Sequence, residues 1–177
     1  MDGQPRSPSV LVSAASMHGA TAEIAQAIGD QLTKRGVAAS VIPPGDVWSI
    51  EGYDAVIIGS AVYTGHWLDP AKGLANKFHD TLPDRPVWLF SSGPVGKPSG
   101  RLAQAMNADP VELDEIRSAT NAREHRIFAG KLDPKALSRL QRASLLVFRG
   151  LEGDFRDWAE IRNWADSIAR ELALVPQ

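Results

Sequence analysis

The residues Ser16-Met17-His18-Gly19-Ala20-Thr21 set two hydroxyls, an imidazole and a glycine between an apolar run and a helical pattern. A short loop opening a helix turns backbone N–H groups outward, and the helix dipole adds partial positive charge at the same spot. Gly19 lets the backbone approach a ligand closely. The chemistry these types can do is anion binding. A phosphate would be held by loop amides and by the Ser16 and Thr21 hydroxyls, with His18 beside it as a further donor. An ordinary strand-to-helix turn has the same outline, so the surroundings must decide. The chain has no G-x-x-x-x-G-K and no G-x-G-x-x-G, which excludes a P-loop and argues against a dinucleotide fold. A single phosphate is expected.

Two further stretches carry candidate ligand groups. Gly59-Ser60-Ala61-Val62-Tyr63-Thr64-Gly65-His66-Trp67 offers two aromatics, Tyr63 and Trp67, close to backbone amides. Ser91-Ser92-Gly93-Pro94-Val95-Gly96 offers small residues and a proline, suited to close approach of a flat ring. Other candidates have plainer readings. Trp88, Trp158 and Trp164 have core spacing. His66 and His79 are isolated, and His125 opens a strand. No histidine pair at i, i+4 has a carboxylate partner, so no metal site is expected. Asp154 and Arg156 cap the last helix, pair with each other, or reach a bound ligand or a substrate carboxylate. Ser16, Ser91 and Ser92 lack a G-x-S-x-G elbow and are not nucleophiles. No catalytic side chain is identified.

The elements that must position these groups follow from periodicity. Val10–Ser13 reads as a buried strand, and Ile24, Ala25, Ile28 and Leu32 as one face of a helix ending at Gly36. Val37–Ile42 is a second strand. Ala55–Ser60 is a continuous apolar strand of the kind buried inside a parallel sheet, followed by a long loop over 61–68. Pro86–Ser92 and His125–Ala129 complete five strands. Asp-Pro pairs at 69–70, 109–110 and 133–134 each read as a helix start, Asp capping and Pro at the first helical position. The last of these helices is expected to reach about Phe148. Lys97–Ala108 reads as an excursion. Asp157 to Glu160 resembles a capping box opening a last helix with a stripe of Trp158, Ile161, Ala165, Ile168 and Leu172. Alternating strands and helices predict a doubly wound α/β domain, with a five-stranded parallel sheet in the order 2-1-3-4-5 and helices on both faces. Ligands bind such sheets outside the carboxyl ends of the strands, where the order reverses. The three candidate loops follow strands one, three and four.

Bulk properties narrow the class. The chain has 177 residues, 44% hydrophobic and 23% charged, which predicts one domain over 9–177 after a loose polar tail at 1–8. The net charge of -2, with no basic stripe, argues against a nucleic-acid partner. There are no cysteines, which excludes disulfides and thiolate metal sites and permits a cytoplasmic setting. No run is long enough to cross a bilayer, and no signal-peptide core is seen. Peripheral contact at the membrane surface stays open.

The order and position of four stretches resemble the flavodoxin superfamily, most closely the branch that includes menaquinone-dependent protoporphyrinogen IX dehydrogenase. They are Ala15–Thr21, Gly59–Gly65, Phe90–Pro94 and Gly153–Trp158, and the resemblance runs from Val10 to about Leu172. It implies a flavodoxin-like fold and bound FMN. Ser16, Met17, His18, Gly19, Ala20 and Thr21 would form the phosphate loop. Ala61, Val62, Tyr63, Thr64 and Gly65 would line one side of the isoalloxazine, with Tyr63 or Trp67 as stacking ring. Ser91, Ser92, Gly93, Pro94, Val95 and Gly96 would line the other side and offer amides to the pyrimidine edge. Ala14 stands where related proteins commonly have Tyr.

The function this implies is an FMN oxidoreductase moving electrons or hydride between the flavin and an organic partner: a quinone, a porphyrinogen or NAD(P)H. Quinone-linked protoporphyrinogen oxidation is the most concrete form. Three alternatives stay open: an electron carrier of the flavodoxin type, a binding module that has lost its cofactor, and deazaflavin in place of FMN. Carriers are usually strongly acidic, whereas this chain has 21 Asp+Glu against 19 Lys+Arg. A receiver domain needs acidic residues after strands one and three, where this chain has Ser13-Ala14 and Ser60-Ala61.

Overall fold

Strand β1 (Ser9–Ala15) is the axis of the molecule, buried on both faces. Its alternate side chains face two different cores, as a pleated strand requires. Val10, Val12 and Ala14 point to one cluster, Leu11 and Ala15 to the other. The computed structural model describes residues 6–93, 108–132 and 153–174. The excursion expected from Lys97 up to 107 and the helix expected after Asp133-Pro134 lie outside the described residues.

The main sheet runs β2 (Ala38–Val41), β1, β3 (Ala55–Tyr63), β5 (Val87–Gly93), β6 (Glu124–Ala129), every neighbour parallel. With short β4 (His66–Trp67) set aside, this is the order 2-1-3-4-5. One face is covered by α1 (Ala20–Lys34) and α4 (Trp158–Ala173), packed through Ile24, Ile28, Ile161, Trp164 and Ile168 onto Ile57, Trp88 and Phe90. The other is covered by α2 (Asp69–Lys77) and α3 (Leu113–Thr120), through Leu74, Leu113 and Ile116 onto Val56, Ile58 and Leu89. The sheet is therefore doubly wound. Phe90, Phe128 and Trp164 meet edge-on or tilted with centroids 5.5–6.1 Å apart. Room for the Phe90 ring comes from Gly59, where an added Cβ would lie 2.1 Å from it.

The local chemistry differs from the sequence reading in four places. The expected long loop over 61–68 is a hairpin: β3 continues to Tyr63, turns at Thr64-Gly65, and pairs antiparallel with β4. Both turn residues have positive φ, 51° and 82°, as a two-residue type I′ turn demands. Asp69 is the first residue of α2 rather than its cap, since the cap position is Leu68 and carries no side-chain hydrogen bond. Asp109-Pro110 precedes its helix, which begins at Leu113 after Glu112. The end of the tail expected to be loose is fastened: Arg6 pairs with Asp54, and the Pro8 carbonyl accepts from the Ala38 amide. Asp157 does cap α4, accepting from the amides of Ala159 and Glu160 at 2.9 and 3.0 Å.

A second, two-stranded antiparallel ladder joins β7 (Lys131–Leu132) to β8 (Gly153–Asp154) just beyond the carboxyl end of β6.

Candidate functional site

The parallel register brings three strand ends level. Ala15 of β1 lies opposite Ser60 of β3, and Ser60 and Ala61 lie opposite Ser91 and Ser92 of β5. The segments leaving the three strands are therefore gathered at one edge.

After β1 the chain turns through Ser16, Met17 and His18 to Gly19, which takes a left-handed conformation at φ 86°. Only glycine does this without strain. Gly19 is the cap residue of α1, and no side chain caps the helix. The first-turn amides, Ala20 and Thr21 among them, thus lack the side-chain acceptor that usually satisfies them. The Ser16 hydroxyl is buried and finds no hydrogen-bond partner among the described residues. Thr21 is buried; Met17 and His18 are exposed. A donor left in this way beside a helix of 15 residues without a side-chain cap has the chemistry to bind an acceptor-rich anion.

The second stretch meets the first through its ring. Tyr63 and His18 sit edge-to-face, centroids 6.4 Å apart. Burial pushes the Tyr63 phenol above its ordinary value. Ala61 is buried; Val62 and Tyr63 are half-buried; Thr64 and Gly65 are exposed at the tip. Of the two candidate stacking rings, Trp67 has no face to offer: it is 2% exposed and packs in the core beneath α2. Its indole N–H donates to the Ser91 hydroxyl at 2.8 Å, which ties the second stretch to the third.

In the third stretch Ser91 and Ser92 are buried at the end of β5, and Gly93 sits so close to Val62 that a Cβ would lie 3.0 Å from it. Pro94, Val95 and Gly96 lie outside the described residues. The Ser91 hydroxyl also lies 2.8 Å from Nε2 of His125, whose Nδ1 is 3.6 Å from Asp109.

Two further groups support this edge, of which the sequence did not single out Glu112. Glu112 accepts from the His66 ring at 2.7 Å, the Trp67 amide at 3.3 Å and Lys72 at 3.4 Å. Burial works to raise its carboxyl, but these bonds outweigh it and hold the group below its ordinary value. The other is the role of Arg156 toward α1. Asp154 and Arg156 pair with each other as one of the expected alternatives had it, through two bonds of 2.8 and 2.6 Å. Arg156 also donates to Glu23 and to the Ala20 carbonyl, 2.7 and 3.1 Å away. Its guanidinium lies 4.4 Å over the Trp158 ring. Hydrogen bonding holds the Asp154 carboxyl below its ordinary value. The pair therefore braces the first turn of α1. No local pattern announces Glu112 or the reach of Arg156 to α1, because His66 and Glu23 stand 46 and 133 residues away along the chain.

The family model described as a flavodoxin domain matches residues 11–157, which contains all three strand ends. The chain belongs to the flavodoxin domain family. No match is found among curated proteins. Solved flavodoxins share the fold. One from the domain Archaea is 19% identical with TM-score 0.62, over 93% of this chain and 99% of that one. An oxidised flavodoxin from Bacillus cereus is 15% identical with TM-score 0.62, over 92% and 97%. Rubredoxin oxygen:oxidoreductase from Desulfovibrio gigas is 15% identical with TM-score 0.62, but its match spans 94% of this chain and only 37% of its own. Flavodoxins bind flavin. The uncapped α1 and the buried, unpartnered Ser16 hydroxyl fit the phosphate of such a group. Among the described residues no cluster could hold a metal ion, and no helix is long and apolar enough to cross a membrane.

Proposed function

We propose that this flavodoxin-domain protein is an oxidoreductase that holds FMN at the carboxyl edge of its sheet. The observation carrying this reading is the Ser16 hydroxyl, buried without a partner among the described residues beside the uncapped start of α1. Ser16, Gly19, Ala20 and Thr21 hold the phosphate, with His18 alongside as a further donor. Tyr63 supplies the ring that covers the isoalloxazine, and Ser92 and Gly93 open the loop that offers amides to its polar edge. Bound FMN supplies the hydride and single-electron chemistry, while the protein supplies position and electrostatics.

The near balance of 21 acidic and 19 basic residues favours a small organic partner over docking to a basic protein, which acidic carriers use. A quinone, NAD(P)H or a porphyrinogen are the partner classes, with quinone-linked porphyrinogen oxidation as the most specific form. The test begins with the absorption spectrum of the purified protein and the mass of any chromophore released on denaturation. FMN-loaded protein is then mixed anaerobically with NAD(P)H or a porphyrinogen, and, after reduction with dithionite, with a naphthoquinone. Released FMN and electron exchange with at least one of them support the proposal. A colourless protein that takes up no FMN overturns it, as does loaded protein that reacts with none.

A further inference from the structure

The hairpin carrying Tyr63 is held from outside itself. Thr64 is β-branched yet has φ 51°, a conformation such a residue adopts only when its surroundings impose it. Inside the hairpin, β4 pairs antiparallel with β3 and the Thr64 hydroxyl donates to the Tyr63 carbonyl. Further ties come from a strip far along the chain. The Val111 amide donates to the Gly65 carbonyl at 2.9 Å. The Glu112 carboxylate, 17% exposed, accepts from the His66 ring at 2.7 Å and from the Trp67 amide at 3.3 Å. Lys72 on α2 closes the cluster, 3.4 Å from Glu112 and 2.9 Å from Asp69. One carboxylate thus joins both residues of β4, the start of α3 and the first turn of α2.

We infer that Glu112 is a positioning residue, fixing the Tyr63 hairpin where that ring meets the flavin. The inference rests on the FMN reading above. Glu112 touches no ligand itself. Its effect falls foremost on the ring side of the site, because none of its partners among the described residues belongs to residues 16–21.

The experiment titrates full-length wild type, Glu112→Ala and His66→Phe with FMN and, separately, with riboflavin, which has no phosphate. Flavin fluorescence at saturation is recorded alongside thermal unfolding. Glu112→Ala is expected to weaken both ligands by the same factor, about tenfold, the scale of one hydrogen bond to a charged group. It is also expected to raise the emission of the bound flavin, because a loosened Tyr63 quenches it less. A role in stability alone would leave that emission unchanged. His66→Phe removes one donor while keeping Glu112, so it shifts both readouts the same way by less, and it carries the test if Glu112→Ala does not fold. Variants with wild-type affinity and emission overturn the inference and leave the FMN reading standing. So does a loss confined to FMN, which would put Glu112 on the phosphate side. Wild type that binds neither ligand overturns both.

Discussion

The Ser91 hydroxyl lies 2.8 Å from Nε2 of His125. The Trp67 indole, 2.8 Å away on its other side, can only donate. Ser91 therefore accepts from Trp67, and its hydroxyl and Nε2 of His125 share a hydrogen bond that either can donate. Nδ1 of the ring faces Asp109 at 3.6 Å. The His125 side chain is 5% exposed, and this burial disfavours the charged ring.

This burial makes stability depend on pH. Burial, foremost, and Arg117 lower the His125 pKa, while Asp109 and Glu124 raise it, with a net decrease. A folded pKa below the unfolded value of about 6.5 means that the unfolded chain binds more protons as pH falls. Stability contributed here is fully present above that value and is lost on acidification through it. Urea midpoints between pH 7.5 and 5 are expected to fall for wild type and to stay flatter for His125→Gln. A separate loss occurs at lower pH. Asp166, held to about 2 by hydrogen bonds from Arg35 and Gln31, contributes above the ordinary carboxylate range and is lost as pH falls toward that value. Asp166→Asn should flatten only the lower step.

Gly59→Ala is expected to destabilise by about 1–3 kcal/mol, the usual cost of overpacking. The new methyl would meet the Phe90 ring at 2.1 Å, and that ring is hemmed in by Phe128 and Trp164. Chemical denaturation measures the loss. Shrinking the ring in Gly59→Ala/Phe90→Leu should recover part of it, which distinguishes this clash from a backbone effect.

Thr64→Asn is expected to stabilise by about 1 kcal/mol, because Asn tolerates the left-handed region that a β-branched residue resists. The melting temperature should rise by about 2–4 °C for a chain of this size. Thr64→Val, equally branched and without the hydroxyl that bonds the Tyr63 carbonyl, should lower it. Calorimetry on the pair gives the sign directly.

Much of this architecture was legible along the chain. Val10 and Val12 against Leu11, and the apolar run from Ala55, fix which strands are buried on both faces. The stripe through Ile161, Ala165 and Ile168 gives the last helix, and Asp157 its cap. The gathering of the three candidate stretches was legible too, because a parallel sheet brings its strand ends to one edge. What escaped depends on contacts across the fold. Thr64-Gly65 lacks the Asn-Gly signature of a tight turn, so the hairpin read as a loop. Trp67 read as an accessible ring because β4 is only two residues long and shows no alternation. Asp109 read as a helix cap, while its carboxylate faces His125, sixteen positions on.

Arg156→Ala is expected to cost about 2 kcal/mol, less than the ~3–5 kcal/mol of a fully buried pair, since Asp154 and Glu23 are 40% and 56% exposed and rehydrate. Arg156→Lys keeps the charge but loses the fork that grips Asp154 at two points, so it should recover little. Because Arg156 braces the Ala20 carbonyl, both variants should weaken FMN more than riboflavin. Parallel denaturation and flavin titrations check this.

The most direct test of the phosphate loop is the ratio of FMN to riboflavin affinity in wild type and Ser16→Ala. The buried hydroxyl without a partner is the donor the phosphate is expected to use. Wild type should prefer FMN strongly. Ser16→Ala should lower FMN affinity by about tenfold, one hydrogen bond to a charged acceptor, and leave riboflavin unchanged. Equal affinity of wild type for the two flavins, or FMN binding indifferent to Ser16→Ala, would contradict a phosphate site at the start of α1.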